Sequence, residues 1–80
     1  MPTIKGISGP YRLFFYSFDC NEPVHVHAAR ERMSCKFWLN PLILAGNDGF
    51  SPRELNRIRA LIEEHENTIR KAWHEHCGQS

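Results

Sequence analysis

Residues 51–77 constrain this chain more than any other stretch, because their pattern suits helix and little else. Ser51-Pro52-Arg53-Glu54 sets a hydroxyl at the N-cap, proline at the first helical position and glutamate at the third. That is a capping box, in which each end of the motif satisfies an orphan backbone donor. Leu55, Ile58, Ile62, Ile69 and Trp73 then recur at three- and four-residue spacing as one apolar stripe. Gly78 offers a left-handed stop, so one long helix is expected over about residues 52–77. Such a stripe must be laid on something, and a chain of 80 residues forms one domain, residues 1–80.

The first fifty residues read as strands. Residues 11–18 are rich in aromatics and lie between Gly9-Pro10 and Asp19-Cys20-Asn21. Pro23 precedes an alternating segment at 24–29, and residues 30–33 form a hairpin turn into 34–39. Asn40-Pro41 breaks that run. Leu42-Ile43-Leu44-Ala45 follows, too short to assign as strand or helical turn, before a turn at Gly46-Asn47-Asp48-Gly49. The expected fold is α+β: a three- to four-stranded antiparallel meander within about residues 10–45, followed by one long C-terminal helix packed on one face. Side chains alternate along a strand, so Leu13 and Phe15 point one way and Phe14, Tyr16 and Phe18 the other. Both faces are apolar and one helix covers only one of them. The other face, with Trp38, is expected to dock a small partner protein or a second copy of this chain, giving a dimer.

Composition narrows the partners. Ten Lys plus Arg against nine Asp plus Glu leave almost no net charge, which does not indicate a nucleic-acid partner. No apolar run approaches the roughly 20 residues of a membrane span, so no membrane partner is expected. Three cysteines, none in a C-x-x-C pair, and no charged apolar leader suggest reduced thiols in a cytoplasmic protein.

Histidine is the compositional oddity, at five in 80 residues. His25 and His27 alternate in a strand, so their imidazoles share one side at about 6.6–6.8 Å between Cα atoms. Both can grip one divalent metal ion, with Asp19 or Glu22 as an oxygen ligand, although the pair alone supplies only two of the three or four ligands zinc takes. The chain otherwise needs no cofactor. The same pair suits general acid–base hydrolysis, as in a small nuclease, with Arg12 or Lys36 at the phosphate. Either His25 and His27 face the helix and His65 joins them, or they face the open side and His65 is structural; Val24 and Val26, the more natural core residues, favour the second arrangement. His74 and His76 stand about 200° apart on a helix and cannot share a ligand.

Several blocks together resemble the domain-of-unknown-function 4160 family of short bacterial and phage-borne proteins. They are Met1-Pro2-Thr3-Ile4, Arg12-Leu13-Phe14-Phe15-Tyr16-Ser17, Glu22-Pro23-Val24-His25-Val26-His27, Lys36-Phe37-Trp38-Leu39-Asn40-Pro41, and Gly49-Phe50-Ser51 leading into the helix. Val24 stands where members often carry a second proline, and Asn40 where they carry aspartate. The resemblance implies no firm activity. Its paired-gene setting implies one component of a toxin–antitoxin-like pair, which agrees with a docking module built on Phe14, Tyr16, Phe18 and Trp38.

Overall fold

The computed structural model describes residues 3–4, 6–7, 9–16 and 19–78. Two tight turns build most of the sheet. Glu31-Arg32, with Glu31 at φ 57°, joins strands His25–Arg30 and Met33–Leu39, and the cis Asn40-Pro41 pair joins Met33–Leu39 to Leu42–Asp48. With the short first strand Arg12–Phe14 these make an antiparallel sheet in chain order, here β1 (Arg12–Phe14), β2 (His25–Arg30), β3 (Met33–Leu39) and β4 (Leu42–Asp48). The meander is thus four-stranded, and residues 42–48 are strand. The turn expected at 46–49 is displaced: Gly46, Asn47 and Asp48 still pair with β3, and the chain reverses only at Gly49 and Phe50. Ala45 is the extra residue of a bulge, since Lys36 faces Gly46 while Phe37 faces Leu44. Asn47 then brackets the exit, its amide donating to the Phe50 carbonyl at 2.9 Å and its oxygen accepting the Phe50 N–H at 3.1 Å. Gly49 is required there: φ is +104°, and a Cβ would come within 2.9 Å of Met33 Cγ.

The helical half differs from expectation. It is two helices, α1 (Pro52–Glu64) and α2 (Glu66–Cys77), hinged at His65, whose φ −113° and ψ 23° leave the helical range. His65 serves both helices, its N–H donating to the Leu61 carbonyl (3.1 Å) and its carbonyl accepting the Ile69 N–H (2.9 Å). Ile58 and Ile62 on one side of the hinge and Ile69 and Trp73 on the other stay buried in one core. Gly78 closes α2 in the left-handed conformation, as expected. The capping box is half formed. Ser51 Oγ accepts the Glu54 N–H at 3.2 Å, while the Glu54 carboxylate instead binds Tyr11 Oη (3.0 Å) and Arg30 (2.9 Å), tying α1 to the sheet.

Strand parity assigns the faces. Leu13, Val26, Ala28, Cys35, Phe37 and Leu39 pack with the helix stripe in the core. Arg12, Phe14, His27 and Lys36 belong to the opposite side, where Phe14 is paired with His27 and His27 with Lys36. The cysteine expectation needs correction: Cys20 and Cys77 form a disulfide and Cys35 alone is free. Their Cα atoms lie 5.5 Å apart across 57 residues, a pairing that scanning for local C-x-x-C spacing does not detect. Among the described residues no helix is long and apolar enough to cross a membrane.

Two outcomes follow from this packing. Ile62→Ala, at a fully buried position, is expected to lower stability by about 2–5 kcal/mol in urea unfolding, and a loss well under that range would show the stripe does not hold the sheet. The Cys35 thiol is pushed up to about 11, mainly by burial. Iodoacetamide at mildly alkaline pH should therefore leave native protein unlabelled and modify one thiol only after unfolding, as read by mass.

Candidate metal centre

The side of the sheet away from α1 is covered by the chain segment between β1 and β2, and one side chain anchors it. Asp19 opens a 3-10 turn (Asp19–Asn21) because its carboxylate folds back onto the backbone. Asp19 Oδ2 accepts the Tyr16 N–H at 2.7 Å, and the Asp19 N–H donates to the Tyr16 carbonyl at 3.1 Å. The Asp19 carbonyl in turn accepts the Glu22 N–H at 3.0 Å. This doubly hydrogen-bonded loop drives the carboxylate inward, to 4% exposure, against β2.

There it meets both histidines. Asp19 Oδ2 lies 3.2 Å from His25 Nε2 and 3.1 Å from His27 Nε2. His25 is fully buried, its ring lying edge-on to Trp38 of β3 (centroids 5.4 Å) and to Trp73 of α2 (5.2 Å). Its Nδ1–H donates to the Pro23 carbonyl at 2.8 Å, which fixes the tautomer and leaves the Nε2 lone pair facing inward. Despite its nearness to Asp19, His25 Nε2 has no hydrogen-bond partner. His27 stacks on Phe14 (centroids 5.4 Å, planes 21° apart), with Tyr16 edge-on at 4.7 Å. It lines a groove of about 180 Å³ together with Tyr16, Ser34, Lys36 and Asn47.

Burial and neighbouring charges shift the titrating groups of this cluster. Burial pushes the Asp19 carboxyl up, but the Tyr16 N–H and the two imidazoles outweigh it, and the group ends below its ordinary range. His27 is held below the ordinary imidazole range chiefly by burial, against the opposing pull of Asp19. Lys36 Nζ sits 4.3 Å above the Trp38 ring and 2.7 Å from Glu22 Oε1, and its hydrogen bond lowers the Glu22 carboxyl. Arg12 lies over the Phe14 ring at 5.2 Å.

Of the residues singled out in the sequence, His25, His27, Phe14, Tyr16, Lys36, Trp38 and Arg12 therefore surround one region, and Asp19 joins the two histidines in a group that could hold a metal ion. Asp19, His25 and His27 place their ligand atoms within 4.8 Å of one another. Phe14 is 3% exposed, Tyr16 and Trp38 are half-buried, and Phe18 lies outside the described residues. His65 remains at the helix hinge. Two participants escaped the sequence reading. Trp73 looked like one more stripe residue, yet it also walls His25. His76 binds the Tyr16 carbonyl through Nε2–H at 3.1 Å.

A family model described as "Domain of unknown function (DUF4160)" matches residues 11–74. The chain belongs to the DUF4160 family. The match takes in Asp19, His25, His27, Lys36, Trp38 and Trp73, so the whole cluster falls inside the DUF4160 domain, while His76 and Cys77 fall just beyond it. No curated protein matches, and no solved structure does.

Acid should weaken the metal-free fold through this cluster. Asp19 and His27 both titrate lower in the folded chain than unfolded, so the unfolded chain binds more protons in each window. Stability should be full above the ordinary imidazole range. It should fall first as His27 protonates and again as Asp19 does. Urea midpoints against pH test this, and a curve flat through both windows would refute it.

Proposed function

We propose that this DUF4160 chain binds one divalent transition-metal ion of the zinc class through Asp19 Oδ2, His25 Nε2 and His27 Nε2. The observation that carries the reading is His25 Nε2, a fully buried nitrogen with no hydrogen-bond partner, 3.2 Å from a buried carboxylate oxygen. Two lone pairs at that distance need a proton or a cation between them. Ligands on bonds of about 2.0–2.1 Å stand roughly 2.9 Å apart at right angles and 3.4 Å apart in a tetrahedron; the two carboxylate–imidazole contacts, 3.1 and 3.2 Å, fall between these limits, and the two imidazoles lie within 4.8 Å of each other. The Pro23 carbonyl on His25 Nδ1 is the outer-shell partner that metal-binding histidines typically have.

Three protein ligands leave a position for water, the arrangement of catalytic rather than structural zinc. An ion held there would acidify a bound water for hydrolysis, and His27 lines one groove with Lys36, whose ammonium, now paired with Glu22, would have to leave that carboxylate to meet an anionic substrate such as a phosphoester. The nuclease-like reading of His25 and His27, with Lys36 or Arg12 at the phosphate, thus becomes the metal-assisted form of one site.

Partner docking, as one half of a toxin–antitoxin-like pair or as a dimer, rests on a different observation. Ile43 is 51% exposed and borders, with Val24, Trp38 and Pro41, an apolar hollow of about 330 Å³. Phe14 adds little to such a surface, since it lies beneath His27 and Tyr16. The metal reading is therefore the stronger of the two.

Chelator-stripped protein with its disulfide intact should take up one equivalent of zinc in calorimetry. Asp19→Asn and His27→Ala should each weaken binding by at least the roughly 10–100-fold that loss of an outer-shell partner costs. At a hundredfold excess over Kd the ion should add about 2.7 kcal/mol of stability. Absence of binding, or variants that bind like the parent, would overturn the site.

A further inference from the structure

We infer that Cys20, His76 and Cys77 form a second metal site, thiolate-rich and available only when the Cys20–Cys77 disulfide is reduced. Cys20 follows Asp19 in the 3-10 turn, and His76 and Cys77 end α2, so the turn and the helix terminus meet here. One ligand atom from each of the three residues lies within 4.8 Å of the other two. Two thiolates and an imidazole are a soft to borderline set, suited to zinc and unsuited to magnesium or calcium.

The imidazole is prepared for the role. His76 Nε2–H donates to the Tyr16 carbonyl at 3.1 Å, which leaves Nδ1 unprotonated, and the ring stacks on Phe15 with centroids 5.7 Å apart and planes 14° apart. A backbone carbonyl on one ring nitrogen, with the other left to bind the ion, is the usual outer-shell support of a ligating histidine. The sulfurs remain neighbours after the bond opens, because other contacts still hold α2 against the turn. They include His76 on Tyr16, Trp73 on Phe15 (5.3 Å) and Trp73 on His25 (5.2 Å). Cys20 is exposed, so a reductant can reach it.

The chemistry balances with a dithiol as reductant. The dithiol gives two electrons and two protons to the S–S bond and becomes a disulfide itself, leaving two thiols on the protein. Metal binding then displaces both thiol protons and creates two metal–sulfur bonds. Oxidation with loss of the ion reverses the process, so disulfide and metal exclude each other. No ligand is shared with Asp19, His25 and His27, and the inference stands without that reading.

Cobalt(II) added to reduced protein under inert gas reads this site separately, since sulfur-to-cobalt charge transfer in the near ultraviolet requires thiolate ligands. One equivalent should develop that band in reduced protein and none in oxidised protein. Cys20→Ser and Cys77→Ser should each diminish it sharply, His76→Ala should weaken cobalt binding by about tenfold or more, and Asp19→Asn should leave the band intact. If reduction unfolds the chain, cobalt should restore its circular dichroism. The inference is overturned if reduced protein shows no charge-transfer band, if cobalt fails to refold an unfolded reduced chain, or if His76→Ala binds like the parent.

Discussion

The buried Asp19 carboxylate is the interaction on which the arrangement of this molecule turns. A carboxylate taken from water is strongly unfavourable unless hydrogen bonds and positive charge replace its hydration. Here the Tyr16 N–H and the His27 Nε2 hydrogen bond replace part of it, and His25 Nε2, at 3.2 Å, does not. Because the Tyr16 backbone is bound to Asp19 through both its N–H and its carbonyl, the segment after β1 is pulled across the side of the sheet that no helix covers. That side is then closed by a loop rather than by a second layer, and the two histidines of β2 are enclosed where they would otherwise face solvent.

The helices serve the same centre from the other direction. The helices break at His65, yet Ile58 and Ile62 before the break and Ile69 and Trp73 after it stay in one core. The far end of α2 reaches the 3-10 turn, where His76 donates to the Tyr16 carbonyl and Cys77 is joined to Cys20. Trp73 lies where these demands meet, packed edge-on against Phe15 and His25. Hydrophobic packing of the stripe and the polar chemistry of the turn are thus mechanically linked through one side chain.

How much of this the sequence revealed depended on whether each feature is local. Alternation in β2 and β3 favoured Val26 toward the core and His27 away from it, because period-two parity is fixed by the backbone itself, but it did not anticipate His25 fully buried against Trp73 of α2. Helix start and stop were legible from Ser51, Pro52 and Gly78. The hinge was not, since neither glycine nor proline marks residue 65 and the apolar spacing passes through it unchanged. The residues after Ala45 looked like a turn because Gly46-Asn47-Asp48-Gly49 is turn chemistry, yet ladder pairing with β3 outweighs that local preference up to Asp48. The disulfide joins elements 57 residues apart, which no spacing rule reports, whereas Asp19 was one of two carboxylates the sequence offered beside the histidines, and the Tyr16 backbone decides between them.

The same accounting bears on what the open face is for. Aromatic side chains on an uncovered sheet face have two physical outcomes: they await another surface, or they are used within the chain. Phe14 is used, as the floor under His27, and Tyr16 is packed edge-on against that same imidazole. What remains exposed is displaced toward β4, at Ile43. An aromatic enclosure around two imidazoles and a carboxylate lowers the local dielectric and strengthens whatever charge sits between them. Within that enclosure the hydrogen bonds of Asp19 to the Tyr16 N–H and to His27 therefore count for more than they would on an open face.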